Sequence, residues 1–250
     1  MSRRQQLDIL RELAWSDFRL KYHDSVLGYL WSMLSPLLMF AVFYVVFRRV
    51  LGVMVPGYMP YLAVGLVYWT FFQDCTCSGI TSLTGKAGLL KAVRVSPLMV
   101  LTAAALSTVI TLLVNTTLLV LGLGLAGRLS WRSPLALVPL LGLVLLATGV
   151  SFLLALAYSR FRDVAVVWPV LLQALFWLTP VTYPVTRQSL WEILHLSPLA
   201  RCLSLLRFFL VYDYLPPWRF VILSVGACAL VFAAGLLLLR KLQPLIPENL

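Results

Sequence analysis

The sequence predicts an all-α membrane protein: six transmembrane helices, an N-terminal amphipathic interface helix, and re-entrant helices between spans five and six. Three observations carry this. Hydrophobic residues fill 61% of the 250 positions and charged ones only 12%, with a mean hydropathy of +0.94; a soluble domain carries about 25% charged residues. The apolar residues gather into runs of about 20, the length a helix needs to cross hydrocarbon. The 20 Lys and Arg sit at the edges of those runs, so the net charge of +11 points to orientation in the bilayer and contact with anionic lipid. One compact basic face, as nucleic acid would require, is not evident, and no nucleic-acid partner is expected.

The chain is organised around residues 11–38. On a helix Leu7, Leu10, Ala14 and Phe18 share one stripe, beside Trp15 and Tyr22, while Arg11, Glu12, Asp17, Arg19 and Lys21 cover the rest. Asp17 and Lys21, at i, i+4 with the acid first, are placed to support one another. After Asp24 no charge occurs until Arg48. This is the pattern of a basic helix in the membrane interface (residues 1–25) feeding a first span at 28–51. These polar first residues predict no cleavable leader.

Span one contains Pro36, which a membrane helix tolerates. Span two is expected at 59–82 with one acid, Asp74, in a structural or water-facing role. Residues 82–97 carry Lys86, Lys91 and Arg94 around Leu89, Leu90 and Val93, the signature of a short surface helix stopping at Pro97. Span three is the uncharged run 98–127, and span four covers 134–158. Span five, at 164–185, is interrupted by Pro169, Pro180 and Pro184, and span six runs from 218 to 239. Within 187–217 two apolar-sided segments are too short to cross. No GxxxG pair occurs, so small residues such as those from Ala103 to Ala105 and Ser107 are expected to set the packing. With even parity and the N-terminus inside, twelve basic residues lie on inner segments and eight on outer ones. Both termini are therefore expected in the cytoplasm.

Residue patterns for chemistry are scarce. Gly79 to Lys86 resembles a phosphate loop, but five residues separate Gly79 from Gly85 and Ala87 follows the lysine; the motif needs four, then Ser or Thr. Glu192 and His195 would be half a metal site without a second half, so a hydrogen-bonded pair is expected there. Cys75, Cys77, Cys202 and Cys228 form no zinc or disulfide framework and are taken as small apolar residues. No cofactor, metal or catalytic group is expected. A single intramembrane acid also argues against an ion-coupled carrier. Phe40, Phe43, Tyr44 and Phe47 form a stripe at i, i+3, i+4 and i+7, with Tyr29 and Trp31 below. Facing a pore, such rings would stack on sugars; facing lipid, they would be interface belts. The sequence leaves both open.

Several of these elements together bear a family likeness. Leu13, Asp17, Arg19, Tyr22, Ser25-Val-Leu-Gly28-Tyr-Leu-Trp31 and Pro36-Leu37-Leu38 resemble the N-terminal signature of ABC-2-type permeases that export cell-surface polysaccharide: O-antigen, teichoic acid or capsule. Leu89-Leu90-Lys91-Ala-Val93-Arg94-Val-Ser-Pro97 resembles their coupling helix, and Phe161-Arg162-Asp163-Val164 their FRD element. Thr179-Pro180-Val-Thr-Tyr183-Pro184 is similar to their Ser-Pro-x-x-Tyr-Pro break, and Ser197-Pro198-Leu199 to their Asn-Pro-Leu. Ser16, His23-Asp24, Ser96 and Ser197 depart from the pattern.

The resemblance implies a plasma-membrane half-transporter: a homodimer of this chain with two copies of a P-loop ABC ATPase, moving a lipid-linked polysaccharide. It implies that Lys86, Leu89, Leu90, Lys91 and Arg94 couple to the ATPase, with Arg162 and Asp163 bracing spans four and five. Tyr29, Trp31, Phe40, Phe43, Tyr44 and Phe47 would line the sugar path, Arg19 and Lys21 would attract the lipid headgroup, and 187–217 would form an outer gate. An exporter of a drug or small lipid, or a non-transporting scaffold for glycan synthesis, are the alternatives.

Overall fold

The computed structural model describes residues 3–21, 28, 30–50, 52, 57–86, 88, 95–185 and 195–243, and among them every regular element is helical. Helix α1 (Arg3–Leu20) is the amphipathic one; Ala14 and Phe18 are buried while Leu7 and Leu20 stay exposed. Exposed apolar groups on a charged helix suit a position in a membrane interface. Helix α2 (Leu30–Tyr44) carries Pro36 and continues as a π-helical stretch, Val45–Val50, ending on Arg48 and Arg49. After Gly57, whose φ of 74° is open to glycine at no steric cost, the chain turns into α3 (Tyr58–Gly85). Both glycines of the phosphate-loop lookalike lie within this continuous helix, where no phosphate cradle can form.

Pro97 opens a helix instead of stopping one. It occupies the first turn of α4 (Pro97–Leu125), and the Ser96 side chain caps that helix by accepting from the Met99 amide at 3.3 Å. A 3₁₀ turn, Ser133–Ala136, leads into α5 (Leu137–Arg160). Helix α6 (Val164–Leu178) then ends well short of the expected residue 185. At 1.5 Å per residue it spans about 22 Å. Residues 179–185 leave the helix where Pro180 and Pro184 prevent its continuation. Helix α7 (Pro198–Arg207) runs on into a π-helical stretch, Phe208–Tyr212, and α8 (Trp218–Leu242) completes the order. The first short segment of the expected outer gate lies outside the described residues. The helices Pro97–Leu125 and Trp218–Leu242, together with the stretch Ser133–Arg160, are long and apolar enough to cross a bilayer, and Val164–Leu178 is apolar but shorter.

Helix α3 is the centre of the packing, touching α2, α4, α5, α6 and α7. Its Leu62, Val64, Leu66, Tyr68 and Cys75 are almost wholly buried. A second apolar cluster joins Leu83, Val100, Leu101, Phe152 and Leu239, with Leu13 of α1 packed against it. The most extensive pairing, between α5 and α8, rests on two glycines that no motif announced. A Cβ on Gly149 would lie 2.6 Å from the Phe232 Cα, and one on Gly235 would lie 2.5 Å from the Gly149 carbonyl oxygen. Lipid offers helices no hydrophobic reason to associate, so such close backbone contact is what holds them. Leu223, Leu230 and Leu237, seven residues apart, stay exposed along α8. Ala103, Ala104, Ala105 and Ser107 are buried as expected.

Two further contacts tie down the end of the bundle opposite α1. Asp213, with φ 50°, accepts from Ser130 Oγ at 2.8 Å and from Trp131 Nε1 at 3.0 Å, and lies 3.5 Å from Arg132 Nε. Cys202 and Cys228 bring their sulfurs to 3.4 Å between α7 and α8, as buried free thiols. The glycine contact is testable. Gly149→Ala should cost about 1–3 kcal/mol by overpacking, read as a lower thermal midpoint of the purified protein. Gly226→Ala, with nothing within 4 Å of its added methyl, should match or exceed the parent, because alanine favours a helix.

Candidate functional site

A groove runs between α2, α3 and α4, opened because Pro36 sits mid-helix in α2 and Gly122 leaves space on α4. It holds two cavities that share Pro36 and Asn115. The larger, about 760 Å³, is walled by Phe40, Tyr44, Ala63, Leu66 and Leu119, with Arg48 and Arg128 also on its lining. The smaller, about 390 Å³, lies toward α1 and is lined by Lys21, Trp31, Gln73, Asp74, Thr111 and Asn115. Both volumes fall in the range of ligand sites, about 300–1,000 Å³.

The aromatic stripe of α2 is split by this geometry. Phe40 and Tyr44 stack at 6.1 Å and face the larger cavity. Phe43 and Phe47 turn into the core, Phe43 against Phe176 at 5.5 Å and Phe47 against Tyr58 at 6.1 Å. Trp31 faces the smaller cavity, and Tyr29 lies outside the described residues. The helix period sends i and i+4 one way and i+3 and i+7 the other, so a four-residue stripe serves two neighbours.

The basic residues divide as well. Arg19 lies over the Trp15 ring at 5.3 Å on the exposed side of α1. Lys21 instead donates to Asp74 at 2.6 Å, at the mouth of the smaller cavity. Asp17 accepts from Lys86 at 2.5 Å. The local Asp17–Lys21 pairing is thus replaced by two ion pairs that tie α1 to α3, one at each end of a helical turn. Leu89, Leu90, Lys91 and Arg94 lie outside the described residues. Arg162 and Asp163 form an exposed turn whose carbonyls start α6: Arg162 accepts from Ala165 at 3.3 Å and Asp163 from Val166 at 2.9 Å. His195 is buried and 2.6 Å from Ser204 Oγ, while Glu192 lies outside the described residues.

Sequence reasoning missed the network around Arg207. This arginine is 3% exposed and makes no ion pair with an acid among the described residues. It donates to the carbonyls of Pro180 and Val181, both at 2.8 Å, and of Tyr61 at 3.3 Å, with its guanidinium 3.5 Å from the Tyr61 ring centre. Tyr58 donates to Thr182 at 2.7 Å, and the Tyr61 hydroxyl lies within hydrogen-bond reach of the Pro180 and Tyr183 carbonyls. The carbonyls of Pro180, Val181, Thr182 and Tyr183, set loose where α6 breaks, are satisfied in this way, as buried backbone groups require. A Cβ at Gly65 would collide with both Val181 and Arg207. The sequence signal was a lone arginine inside the apolar run Leu205-Leu206-Arg207-Phe208-Phe209. Asn115, 8% exposed inside an uncharged span, was a second.

Residues 9–211 match the ABC-2 type transporter family, from α1 to the π-helical stretch after α7. The chain belongs to the ABC-2 type transporter family. It is 28% identical over 200 residues to an O-antigen export system permease protein RfbA of Klebsiella pneumoniae, covering 77% of this chain and 76% of that one. A protein of the same name from Myxococcus xanthus is 27% identical over 183 residues, 73% of this chain and 70% of that one. An ABC-2 transporter chain is a multi-pass membrane permease subunit, which agrees with the apolar helices. The match stops before α8, the partner of α5.

Within this ABC-2 chain the Arg207 network should be indispensable to folding. Arg207→Leu leaves the Val181 carbonyl without its donor and loosens the hold on Pro180 and Tyr61, and should cost about 3 kcal/mol, measured as lost thermal stability of the solubilised protein. Arg207→Lys, which keeps a charge but reaches fewer carbonyls, should fall between the two.

Proposed function

We propose that this chain is the membrane subunit of an exporter that carries a lipid-linked cell-surface polysaccharide across the plasma membrane. Energy comes from ATP hydrolysed on a separate P-loop ATPase. The observation that carries the reading is the groove itself, with ring faces, amides and cations on its lining. Rings and amides are groups that suit sugars, and the cations suit a phosphate-bearing lipid. The relatives named as O-antigen export permeases support the same passenger.

In this reading six spans cross the membrane and both termini face the cytoplasm. Two copies assemble the channel; the bare apolar faces of α2 (Leu37, Val42) and α6 (Val166, Val170) support an association there. Two ATPase copies bind at the cytoplasmic side, where Lys86, Leu89, Leu90, Lys91 and Arg94 form the coupling helix and Arg162 and Asp163 the neighbouring turn. Because Lys86 is bonded to Asp17, a push on the coupling helix also moves α1. Residues 187–217 form the outer gate, and Arg19 faces lipid headgroups.

Deleting the gene should leave glycan inside the cell, detected by mass spectrometry of the lipid-linked pool; an unaltered surface glycan would overturn the reading. Accumulation of a small lipid or drug instead would favour the other ABC-2 cargo. Phe40→Ala with Tyr44→Ala should lower export several-fold while the ATPase still co-purifies. Breaking Asp17–Lys86 by Asp17→Asn should leave ATP hydrolysis in the assembled transporter but reduce glycan exported per ATP consumed.

A further inference from the structure

The smaller cavity carries more chemistry than the larger one, and its polar groups come mainly from α3 and α4. Three threonines on its wall spend their hydroxyl protons on their own helices: Thr70 donates to Val67 at 2.9 Å, Thr108 to Ala105 at 2.7 Å and Thr111 to Ser107 at 3.4 Å. Two amides are not so occupied. Neither Gln73 nor Asn115 makes a side-chain hydrogen bond among the described residues, yet both face the cavity and Asn115 is only 8% exposed. Asn115 is buried on α4 while Gln73 is exposed at the open side of the cavity, so both amides are free to exchange donors and acceptors with an occupant. Trp31 supplies a flat face beside them, and the Lys21–Asp74 pair closes the side toward α1.

We propose that this cavity binds a single sugar unit of the glycan, its ring against Trp31 and its hydroxyls shared between the amides of Gln73 and Asn115. An amide offers two donors and two acceptor lone pairs in one plane, which matches a hydroxyl pair on a sugar ring. The diphosphate that links sugar to lipid then lies beside Lys21, whose bond to Asp74 keeps it at the mouth. The assignment rests on the proposed export of a lipid-linked glycan. It locates the grip on the sugar on α3 and α4 rather than on the aromatic stripe of α2. The larger cavity, with its apolar wall, lets the chain pass once released.

The test uses the full transporter, this chain with its ATPase, in lipid nanodiscs. Two probes are compared by native mass spectrometry: a polyprenyl diphosphate carrying one N-acetylhexosamine, and the same lipid without sugar. The parent should bind the sugar-bearing lipid at least tenfold more tightly. Asn115→Leu and Gln73→Leu should each weaken that binding by about five- to thirtyfold, with the sugarless lipid changed less than twofold. Equal binding of the two lipids by the parent overturns the proposal, and so does unchanged binding in both variants, since water alone then satisfies the amides. If Asn115→Leu does not assemble, Gln73→Leu on its more exposed site and the parent's preference decide the matter. Loss of surface glycan on gene deletion tests the export reading separately. Glycan lost on deletion together with variant-insensitive binding removes only the cavity assignment.

Discussion

The structure depends on how one arginine deals with a broken helix. Helix α6 stops at Leu178, and the residues that follow turn their carbonyls loose among apolar helices. Residues 179–182 are buried, so the protein itself must supply the donors. Arg207 answers with N–H bonds to Pro180 and Val181 and holds Tyr61 of α3 with a third, and Tyr58 and Tyr61 add their hydroxyls. The charge is in turn cushioned by the Tyr61 ring. Through that cluster α3, the break after α6 and α7 become one body. Gly65 is the condition for it, because any side chain there would displace both the carbonyl and the guanidinium.

At the other end of α3 the ties are ionic. Asp17 and Lys21 lie one helical turn apart on α1 and reach partners twelve residues apart on α3. Such pairs are half-exposed at Lys21–Asp74 and drier at Lys86–Asp17, so the second is the less screened by salt. Helix α3 is therefore clamped by backbone carbonyls at one end and by ion pairs at the other. The groove lies along its flank between the two clamps.

Much of this was legible in the sequence. Element existence followed from apolar runs, since a span must be long and nearly uncharged, and the boundaries of α4, α5 and α8 came within a few residues. The motif order named the family before any geometry was known. What the sequence hid were matters of partner. A periodic stripe says that four rings share a helix face, but not that Phe43 and Phe47 meet Phe176 and Tyr58 while Phe40 and Tyr44 meet a cavity. An i, i+4 spacing allows Asp17 and Lys21 to pair, yet a partner on α3 competes for each. Arg207 and Asn115 were visible only as polar residues in the wrong surroundings, and their meaning lay in which carbonyls or cavities stood opposite.

The glycine contact between α5 and α8 bears on how this chain is recognised. Backbone meets backbone at Gly149 and Gly235, and the far side of α8 presents Leu223, Leu230 and Leu237 outward. One side of α8 is thus fixed by close contact, at Gly235, Ser224 and Cys228, and the other is merely apolar. The family match ends at residue 211, before α8 begins, so the helix that closes on α5 through Gly235 lies outside it. The helix outside the family match is the one that meets α5 most extensively.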